Sequence, residues 1–416
     1  MHSTAQHQPN PLAAMFNSYQ ILSTSTPDPL RNVNLRGAYP YDIDNAYPQR
    51  VAHLATKVPQ VSHGIKILNQ FCIGQGITGP GVDEIVNAGK MQVFLDKNKV
   101  VRYLPLSRPE TLQTFFAKVV ACLGLNNGAY IHVGFASGGN PISYTLMEFE
   151  NMRIVAPDDR DNAGKFVWWN NWTGSVKSNT RDAKPPVYYS PYTGDNAAAA
   201  AEMAEMGNKF PGQVYYIKYS DLWDSGLYPI SPLHSVLGVA DSAWQLNVYT
   251  NSLIRNGFHQ SDTLMLPYDV TPEAKEKLEN DIKRQRGTSS AGATLILTGM
   301  QEGSKLEKRD TNGQADQFRF VEDDLTRKIR MGLGIPTQLF GDPQAGKLGN
   351  TSELKDAFEI YNQQTAVRRR FAADSLSFLF ANTAIPGIAG QTFEVEPLKF
   401  EGTTLTQPLP QPTAHA

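Results

Sequence analysis

The spacing of hydrophobic positions changes twice along the 416-residue chain. Between residues 46 and 75 they recur every three or four residues, which predicts one or two helices. From about 90 to 230, short apolar and polar runs alternate in the manner of strands, interrupted by an amphipathic helix at 109–124. From 231 the helical spacing returns. We therefore expect an α+β chain, preceded by a loose arm at residues 1–45, where periodicity is weak.

The strand-like region contains runs bounded by turn residues. The predicted strands lie in MQVFLDKNKVVRYLPL (two strands around a polar turn), NGAYIHVGF, YTLMEFENMRIVAP, PPVYYSPY and GQVYYIKYS. One insert, DNAAAAAEMAEMGN at 195–208, favours helix, since Ala and Glu have high helix propensity. Asp195 or Asn196 can cap its start and Gly207 can end it. It lacks a wide apolar face, so we expect an exposed excursion rather than a core helix.

Two helices after residue 270 carry unusually narrow apolar stripes. These stripes are Ala274, Leu278 and Ile282 in the first helix, and Phe318, Val321, Leu325 and Ile329 in the second. Thr271 and Pro272 open the first helix, and Gly334–Pro336 end the second. Narrow stripes suit helices that stand out from the body and pack beside copies of themselves. A solvated surface helix would show the same pattern.

The segment between and after these helices completes a stalk-like unit. A short apolar strand, ATLILTG, occupies 293–299, and a glycine-rich loop follows the second helix. Asn350 and Glu353 then have the spacing of a capping box and predict the start of a long helix. The C-terminal TTLTQPLPQPTAHA is rich in Pro and Thr and is expected to be disordered.

The loop GDPQAGKLG is one residue away from a nucleotide-binding P-loop. Gly341, Gly346 and Lys347 satisfy the pattern, but Leu348 stands where Ser or Thr should hold magnesium. Pro336 also interrupts the segment that should be a strand leading into the loop. The glycines therefore predict a mobile loop, and nucleotide binding is not expected.

Other catalytic patterns are absent from the sequence. The eight His residues show no HExxH spacing, and Cys72 and Cys122 lie in apolar surroundings that suggest buried thiols of a reducing compartment. The three tryptophans of WWNNWTG could stack on bases, but packing is the favoured interpretation. The run Arg368–Arg370 could face DNA or the acids of a partner subunit.

Global charge argues against tight nucleic-acid binding. The formal net charge is −2, and charged residues are 19% of the chain. A clamp on DNA needs many Lys and Arg contacts to phosphate, whereas a surface that DNA slides past does not. The sequence shows neither a signal peptide nor an apolar run long enough to span a membrane.

From residue 115 to 382 the order of motifs resembles the portal proteins of tailed bacteriophages. The motifs are NNGAYIHV after an amphipathic helix, GQVYYIKYSDLWDSGLYPISPLHSVLGVA, NSLIRNGF, and GIPTQLFG followed by GNTSELKDAFEIYNQQT. Pro229 replaces a glycine usual in the family, and the insert at 195–208 has no counterpart. Little sequence follows residue 382, so the family's crown should be small.

The resemblance implies a division of the chain into the parts of a portal subunit. These are a flexible arm (1–45), wing (46–270), first stem helix (271–286), clip (287–313), second stem helix (314–340), tunnel loop (341–351), a long helix at the base of the crown (352–382), and a short crown with a disordered tail (383–416). Subunits, typically twelve, would close into a ring with a central channel.

The resemblance also implies roles for particular residues. The loop residues expected to face DNA are Gln344, Ala345, Gly346, Lys347 and Leu348. The residues expected to pack the ring are Leu278, Ile282, Val321, Leu325 and Ile329. The clip residues expected to dock the motor or the adaptor are Thr294, Leu295, Ile296, Leu297, Lys305 and Lys308. No catalytic residue, metal or cofactor is expected.

The implied partners are copies of the chain, double-stranded DNA, the terminase large subunit, major capsid or scaffold proteins, and a head–tail adaptor, with no membrane contact. The implied location is the capsid portal vertex of the virion, after assembly in the host cytoplasm. Two alternatives stay open: a P-loop packaging ATPase, and a head–tail adaptor ring without the portal fold.

Overall fold

A computed structural model describes residues 37–42, 45–95, 101–105, 107–157, 161–172, 184–220, 226–255, 263–265, 271–273, 276–277, 295–297, 305–307, 314–341 and 351–400, called the described residues below. The helices are α1 (Tyr47–Lys57), α2 (Pro59–Ile73), α3 (Leu112–Asn126), α4 (Asn196–Met206), α5 (Leu237–Arg255), α6 (Gln314–Gly332), α7 (Thr337–Phe340), α8 (Thr351–Gln364) and α9 (Ala366–Leu379). The strands are β1 (Gly76–Thr78), β2 (Ile85–Asn87), β3 (Met91–Leu95), β4 (Val101–Pro105), β5 (Glu110–Thr111), β6 (Gly128–Phe135), β7 (Pro141–Leu146), β8 (Met152–Ile154), β9 (Phe166–Trp168), β10 (Val187–Pro191), β11 (Gln213–Lys218), β12 (Thr263–Met265), β13 (Leu295–Leu297), β14 (Lys305–Glu307) and β15 (Glu394–Glu396).

The described residues belong to two compact units. Unit 1 lies within Met1–His53, His63–His234 and Leu333–Ala416, and unit 2 within Leu54–Ser62 and Ser235–Gly332. The mixture of sheets and helices confirms the predicted α+β class.

Unit 1 is built on a six-stranded sheet with the order β7-β6-β11-β10-β9-β8. Helix α3 packs on β6 and buries its apolar side, including Phe115, Phe116 and Val119. Each such side chain stabilises the fold by roughly 1.5–3 kcal/mol. Thr111 caps the start of α3, because its hydroxyl accepts from the backbone N–H of Thr114 at 3.4 Å. The helix ends at Asn127, which takes a left-handed conformation at φ 55°.

The alanine-rich insert forms helix α4, as predicted. Asp195 caps it by accepting from the backbone N–H groups of Ala197 and Ala198, and Gly207 ends it. Strands β10 and β11 run parallel, so the chain between them must cross over, and α4 is part of that crossover. Glu202 accepts hydrogen bonds from Ser190 of β10 and Gln213 of β11. Helix α4 is therefore tied by side-chain hydrogen bonds to both of the strands that it connects.

The tryptophan cluster serves packing, as favoured from the sequence. Trp172 is 4% exposed and donates its indole N–H to the Asn151 carbonyl oxygen at 2.9 Å. Trp169 packs edge-on against it with ring centroids 5.1 Å apart.

The long helix expected at 352–382 is divided into α8 and α9. Thr365 separates them with φ −86° and ψ −4°. Its hydroxyl donates back to the Tyr361 carbonyl oxygen at 2.9 Å, a bond that commonly bends helices.

Unit 2 contains the helix pair α5 and α6 and a three-stranded sheet with the order β13-β12-β14. Strand β12 pairs parallel with β13 and antiparallel with β14. Because β12 precedes residue 271, a strand from the range predicted as wing joins the two strands of the predicted clip. No helix among the described residues is both long and apolar enough to cross a membrane.

Candidate functional site

The predicted stripe of α6 faces α5 only in part. Ile329 is fully buried, Leu325 is half-buried, and Val321 is 43% exposed. Phe318 contacts Tyr249 of α5 with ring centroids 5.5 Å apart. Gly332 lies so close to Val236 that a Cβ there would come within 2.2 Å of its Cγ1. The stripe therefore serves first as the contact within unit 2.

A second apolar pair lies on the opposite side of α6. Phe320 is 76% exposed and Met331 is 67% exposed. They are eleven residues apart, which is three helical turns, so they share one face. Asp324, on the same face, forms ion pairs with Arg327 at 2.5 Å and Lys328 at 2.6 Å. Hydrogen bonds from Lys328 and Arg327 hold the pKa of Asp324 below its ordinary value.

The three-stranded sheet holds several of the predicted docking residues. Leu295, Ile296 and Leu297 form β13, and Lys305 opens β14. Thr263 of β12 pairs with Leu295 on one side and Glu307 on the other, so β12 is the central strand. Thr294 and Lys308 lie outside the described residues.

The predicted tunnel-loop residues Gln344, Ala345, Gly346, Lys347 and Leu348 also lie outside the described residues, as do Leu278 and Ile282. The residues that flank the loop are described. Phe340 is 7% exposed, and its ring centroid lies 5.0 Å from that of His63. The carbonyl oxygen of Phe340 accepts a hydrogen bond from His63 Nε2 at 3.2 Å. Gly341 has φ 85°, a conformation that favours glycine. Phe340 and Gly341 therefore fix where the predicted loop begins.

Helices α8 and α9 carry a stripe that sequence reasoning missed. It consists of Ile360, Gln364, Val367, Phe371, Asp374 and Phe378, which we call the seam. Successive positions are separated alternately by four and by three residues, which is the spacing of the contact positions in a coiled coil. The alignment continues past Thr365, because Thr365 N–H donates to Tyr361 and Arg369 N–H donates to Thr365, both at 3.1 Å.

The seam faces solvent over most of its length. Ile360 is 53% exposed, Val367 66% and Phe378 48%, whereas Phe371 is half-buried against Tyr219. The other side of α9 is buried in unit 1 through Ala372, Ala373, Leu376 and Leu379. The seam is therefore an exposed face with four apolar positions and two polar ones, Gln364 and Asp374, and its 4-3 spacing was the signal available in the sequence.

The arginine run is mainly structural. Arg368 donates to Asn127 Oδ1 at 2.6 Å and lies 4.6 Å from the ring centroid of Tyr219. Arg369 is 6% exposed. Of the three arginines, Arg370 is the exposed one, and its Nε lies 3.8 Å from Asp374 Oδ2 in an ion pair. An interface with DNA or with another subunit's acids could involve Arg370 but not the whole triplet.

Both cysteines are unreactive in this fold. Burial raises the pKa of Cys72 to about 11 and that of Cys122 to about 12. A thiol with so high a pKa is almost entirely protonated near neutral pH, so neither is a nucleophile. Within the described part of the chain, no group of three His, Cys, Asp or Glu residues could hold a metal.

The described residues thus form an α+β protein with two units. Unit 1 is built on the six-stranded sheet, and unit 2 contains the helix pair α5 and α6 and the three-stranded sheet. A model of the family described as phage portal protein matches residues 92–366, about two thirds of the chain. The chain belongs to the phage portal protein family, and its function is that of a portal protein of a phage particle.

Several solved structures are similar to the chain at low identity. One is the neck of a native gene transfer agent particle, with 13% identity and a TM-score of 0.47, covering 84% of this chain and 83% of that one. Another is the virion of a native gene transfer agent particle, with 13% identity and a TM-score of 0.48, covering 83% of each chain. A portal protein of the HK97 family from Corynebacterium diphtheriae is 10% identical with a TM-score of 0.43, covering 83% of this chain and 94% of the other. No curated protein matches the sequence.

Proposed function

We propose that this portal protein forms a closed homo-oligomeric ring at one capsid vertex and that double-stranded DNA passes through the ring's channel. Family membership supports the portal role. The exposed seam is the single observation that carries the ring, because exposed apolar side chains at heptad spacing, here Ile360, Val367 and Phe378, favour a partner surface. A ring requires that one surface of each copy meet a different surface of the next. The seam supplies one of those surfaces.

The channel function is assigned to the loop 341–351 and to the stem helices. Gln344, Ala345, Gly346, Lys347 and Leu348 are proposed to face DNA. A net charge of −2 suits a channel that does not grip its cargo, since each added basic contact strengthens binding to phosphate. The protein is proposed to have no catalytic activity of its own.

The partners are proposed in the same way. The sheet of β12, β13 and β14 would dock the terminase large subunit during packaging and the head–tail adaptor afterwards. The wing would meet major capsid or scaffold proteins. Assembly would take place in the host cytoplasm before incorporation into the virion.

The first test is the mass of the purified protein. Twelve copies of the 45.9 kDa chain would weigh about 550 kDa. Multi-angle light scattering is expected to show a single species of several hundred kilodaltons. A stable monomer at high concentration would overturn the ring. Cryo-EM class averages of the same sample would separate a portal, with wing and stem, from a plain adaptor ring.

A second test concerns Lys347. Lys347→Ala is expected to leave the ring intact and to lower the rate of DNA packaging by up to about fivefold, the effect of one exposed charge contact. Lys355→Ala is the control, because Lys355 is exposed on α8 and pairs with Glu359 at 3.8 Å. Equal packaging by wild type and Lys347→Ala would mean that this side chain does not contact DNA.

The ATPase alternative predicts a different result for the same variant. Nucleotide binding by the wild type that disappears in Lys347→Ala would support it. Absence of binding to both proteins in isothermal titration calorimetry would eliminate it.

A further inference from the structure

Asn127 lies at the end of helix α3 and joins several parts of unit 1 through its polar groups. It is 2% exposed. Its N–H donates to the Leu123 carbonyl oxygen, and its own carbonyl oxygen accepts from the N–H of Tyr219, just after β11, both at 2.8 Å. Its side-chain Nδ2 donates to the Ile230 carbonyl oxygen at 2.7 Å, and its Oδ1 accepts from Arg368 Nη1 at 2.6 Å. The buried residue therefore connects α3, the end of β11, the segment at Ile230 and α9.

The backbone conformation of Asn127 does not by itself require an asparagine. Its φ of 55° lies in the left-handed region in which many helices end, and glycine is the residue most often found there. Glycine would end α3 in the same way but would leave the Ile230 carbonyl oxygen and the Arg368 guanidinium without this partner. Aspartate would keep the acceptor for Arg368 and lose the donor to Ile230. The amide therefore contributes contacts that the end of a helix does not need.

Arg368 and Tyr219 connect Asn127 to the seam. The guanidinium carbon of Arg368 lies 4.6 Å from the ring centroid of Tyr219, which is within the range of cation–π attraction. Phe371, a seam residue, packs against the same ring at an interplanar angle of 74°, with ring centroids 5.2 Å apart. Asn127 thus binds Tyr219 through the main chain and Arg368 through the side chain.

Phe371 is the half-buried member of the apolar part of the seam. Val367, one helical turn earlier, is 66% exposed, and Phe378, two turns later, is 48% exposed. An aromatic side chain on a helix has two common χ1 rotamers, and packing on Tyr219 favours the one that Phe371 adopts. Side chains at coiled-coil spacing fit a partner when each projects from the helix in a defined direction. The Tyr219 ring therefore sets the shape of the middle of the seam.

We propose that Asn127 is a positioning residue for the seam: through Arg368 and Tyr219, its amide holds Phe371 in the orientation that the neighbouring copy binds. This inference rests on the proposed role of the seam as a ring contact. It makes assembly of the ring depend on a side chain that is buried within the subunit.

Asn127→Gly separates the ending of the helix from the positioning of the seam. Glycine keeps the left-handed conformation and removes the amide, so the circular dichroism spectrum should match that of the wild type. The concentration at which half the chains are assembled, followed by light scattering over a dilution series, should rise about tenfold. This shift corresponds to a binding-competent orientation of Phe371 in about a tenth of the subunits.

Asn208→Gly is the matched control, because Asn208 is exposed after the end of α4 and its loss should leave assembly unchanged. An unchanged half-assembly concentration in a folded Asn127→Gly variant would overturn the proposal. An equal shift in Asn208→Gly would also overturn it, because loss of an exposed amide far along the chain would then have the same effect.

Arg368→Met tests the same path from its other end and covers the case in which Asn127→Gly does not fold. Methionine keeps an apolar contact with Tyr219 and removes the cation and the hydrogen bond to Asn127. Because Arg368 is half-buried, the fold should persist, and the half-assembly concentration should rise by a similar factor. The double variant should show a shift well below the product of the two single shifts, since residues in one network are not additive. Fully multiplied shifts would overturn the path through Arg368.

Val367→Asp distinguishes this inference from the ring contact on which it rests, because it places a charge in the seam itself. Loss of rings in Val367→Asp and weaker assembly of Asn127→Gly would support both. Loss of rings in Val367→Asp with normal assembly of Asn127→Gly would keep the seam as the contact and reject Asn127 as its positioning residue. Intact rings in Val367→Asp would reject both, whatever the result for Asn127→Gly.

Discussion

Replacing Arg153 by methionine is expected to lower the free energy of unfolding by about 3–5 kcal/mol. Arg153 is fully buried and forms no ion pair among the described residues. Its Nε donates to Asn45 Oδ1 at 2.5 Å and its Nη2 to the Asn45 carbonyl oxygen at 2.7 Å. Its Nη1 reaches the carbonyl oxygens of Glu150 at 2.9 Å and Met152 at 2.7 Å. Methionine fills similar space but removes four hydrogen bonds, after which Asn45 Oδ1 keeps the Tyr41 N–H and the Glu150 carbonyl oxygen keeps Gln49 Nε2 as donors.

The position of Arg153 makes the effect larger than a local loss. The guanidinium lies 5.6 Å from the ring centroid of Tyr41 and 5.2 Å from that of Trp172, so it also contributes cation–π attraction. The turn it binds is strained, since Asp42 and Asn45 have φ 72° and 56°. Arg153 therefore supports this turn together with Arg50, which pairs with Asp42 at 2.5 Å.

Urea unfolding followed by circular dichroism is the measurement, with Arg370→Met as the matched control. The side chain of Arg370 is 86% exposed, so its loss should change stability by less than about 0.5 kcal/mol. If the two variants had equal unfolding midpoints, the buried network around Arg153 would not be a major source of stability.

Local periodicity predicted the elements of this fold well, and long-range partners explain most of what it missed. The capped helix α4, the strands β6 and β11 and the end of α6 all follow from signals within a few residues. Arg153 and Arg369 gave no such signal. The partner of Arg153 is 108 residues away at Asn45, and the Phe71 carbonyl is 298 residues from Arg369.

Two further misses have physical reasons. Apolar spacing continues across Thr365, so a single long helix was expected, and the break coincides with hydrogen bonds that the Thr365 hydroxyl donates to Tyr361 and accepts from Arg369. Strand β12 was not predicted, and its partners β13 and β14 lie later in the chain, beyond the first predicted stem helix. The roles of the loop, of the first stem helix and of the docking strands stay predictions.

Placing an unpaired carboxylate in the seam, where the native Asp374 has Arg370 at 3.8 Å, is expected to abolish the ring without unfolding the chain. Val367 is 66% exposed in the isolated chain, so Val367→Asp should change its stability little. In the assembled ring the same side chain would be buried against the neighbouring copy. Loss of the valine there removes roughly 1.5–3 kcal/mol per contact, and an unpaired buried carboxylate costs more. Because every subunit repeats the defect, closure of the ring should fail.

The matched control is Leu354→Asp. Leu354 is an exposed apolar residue too, at 38%, but it belongs to α8 and lies about a third of a turn away from the seam. Light scattering should therefore show Val367→Asp as monomers or small oligomers and Leu354→Asp as full rings, with matching circular dichroism. Full rings from both variants would place the subunit contact elsewhere on the chain. Loss of rings in both would mean that α8 and α9 meet the neighbour over a wider surface than the heptad positions alone.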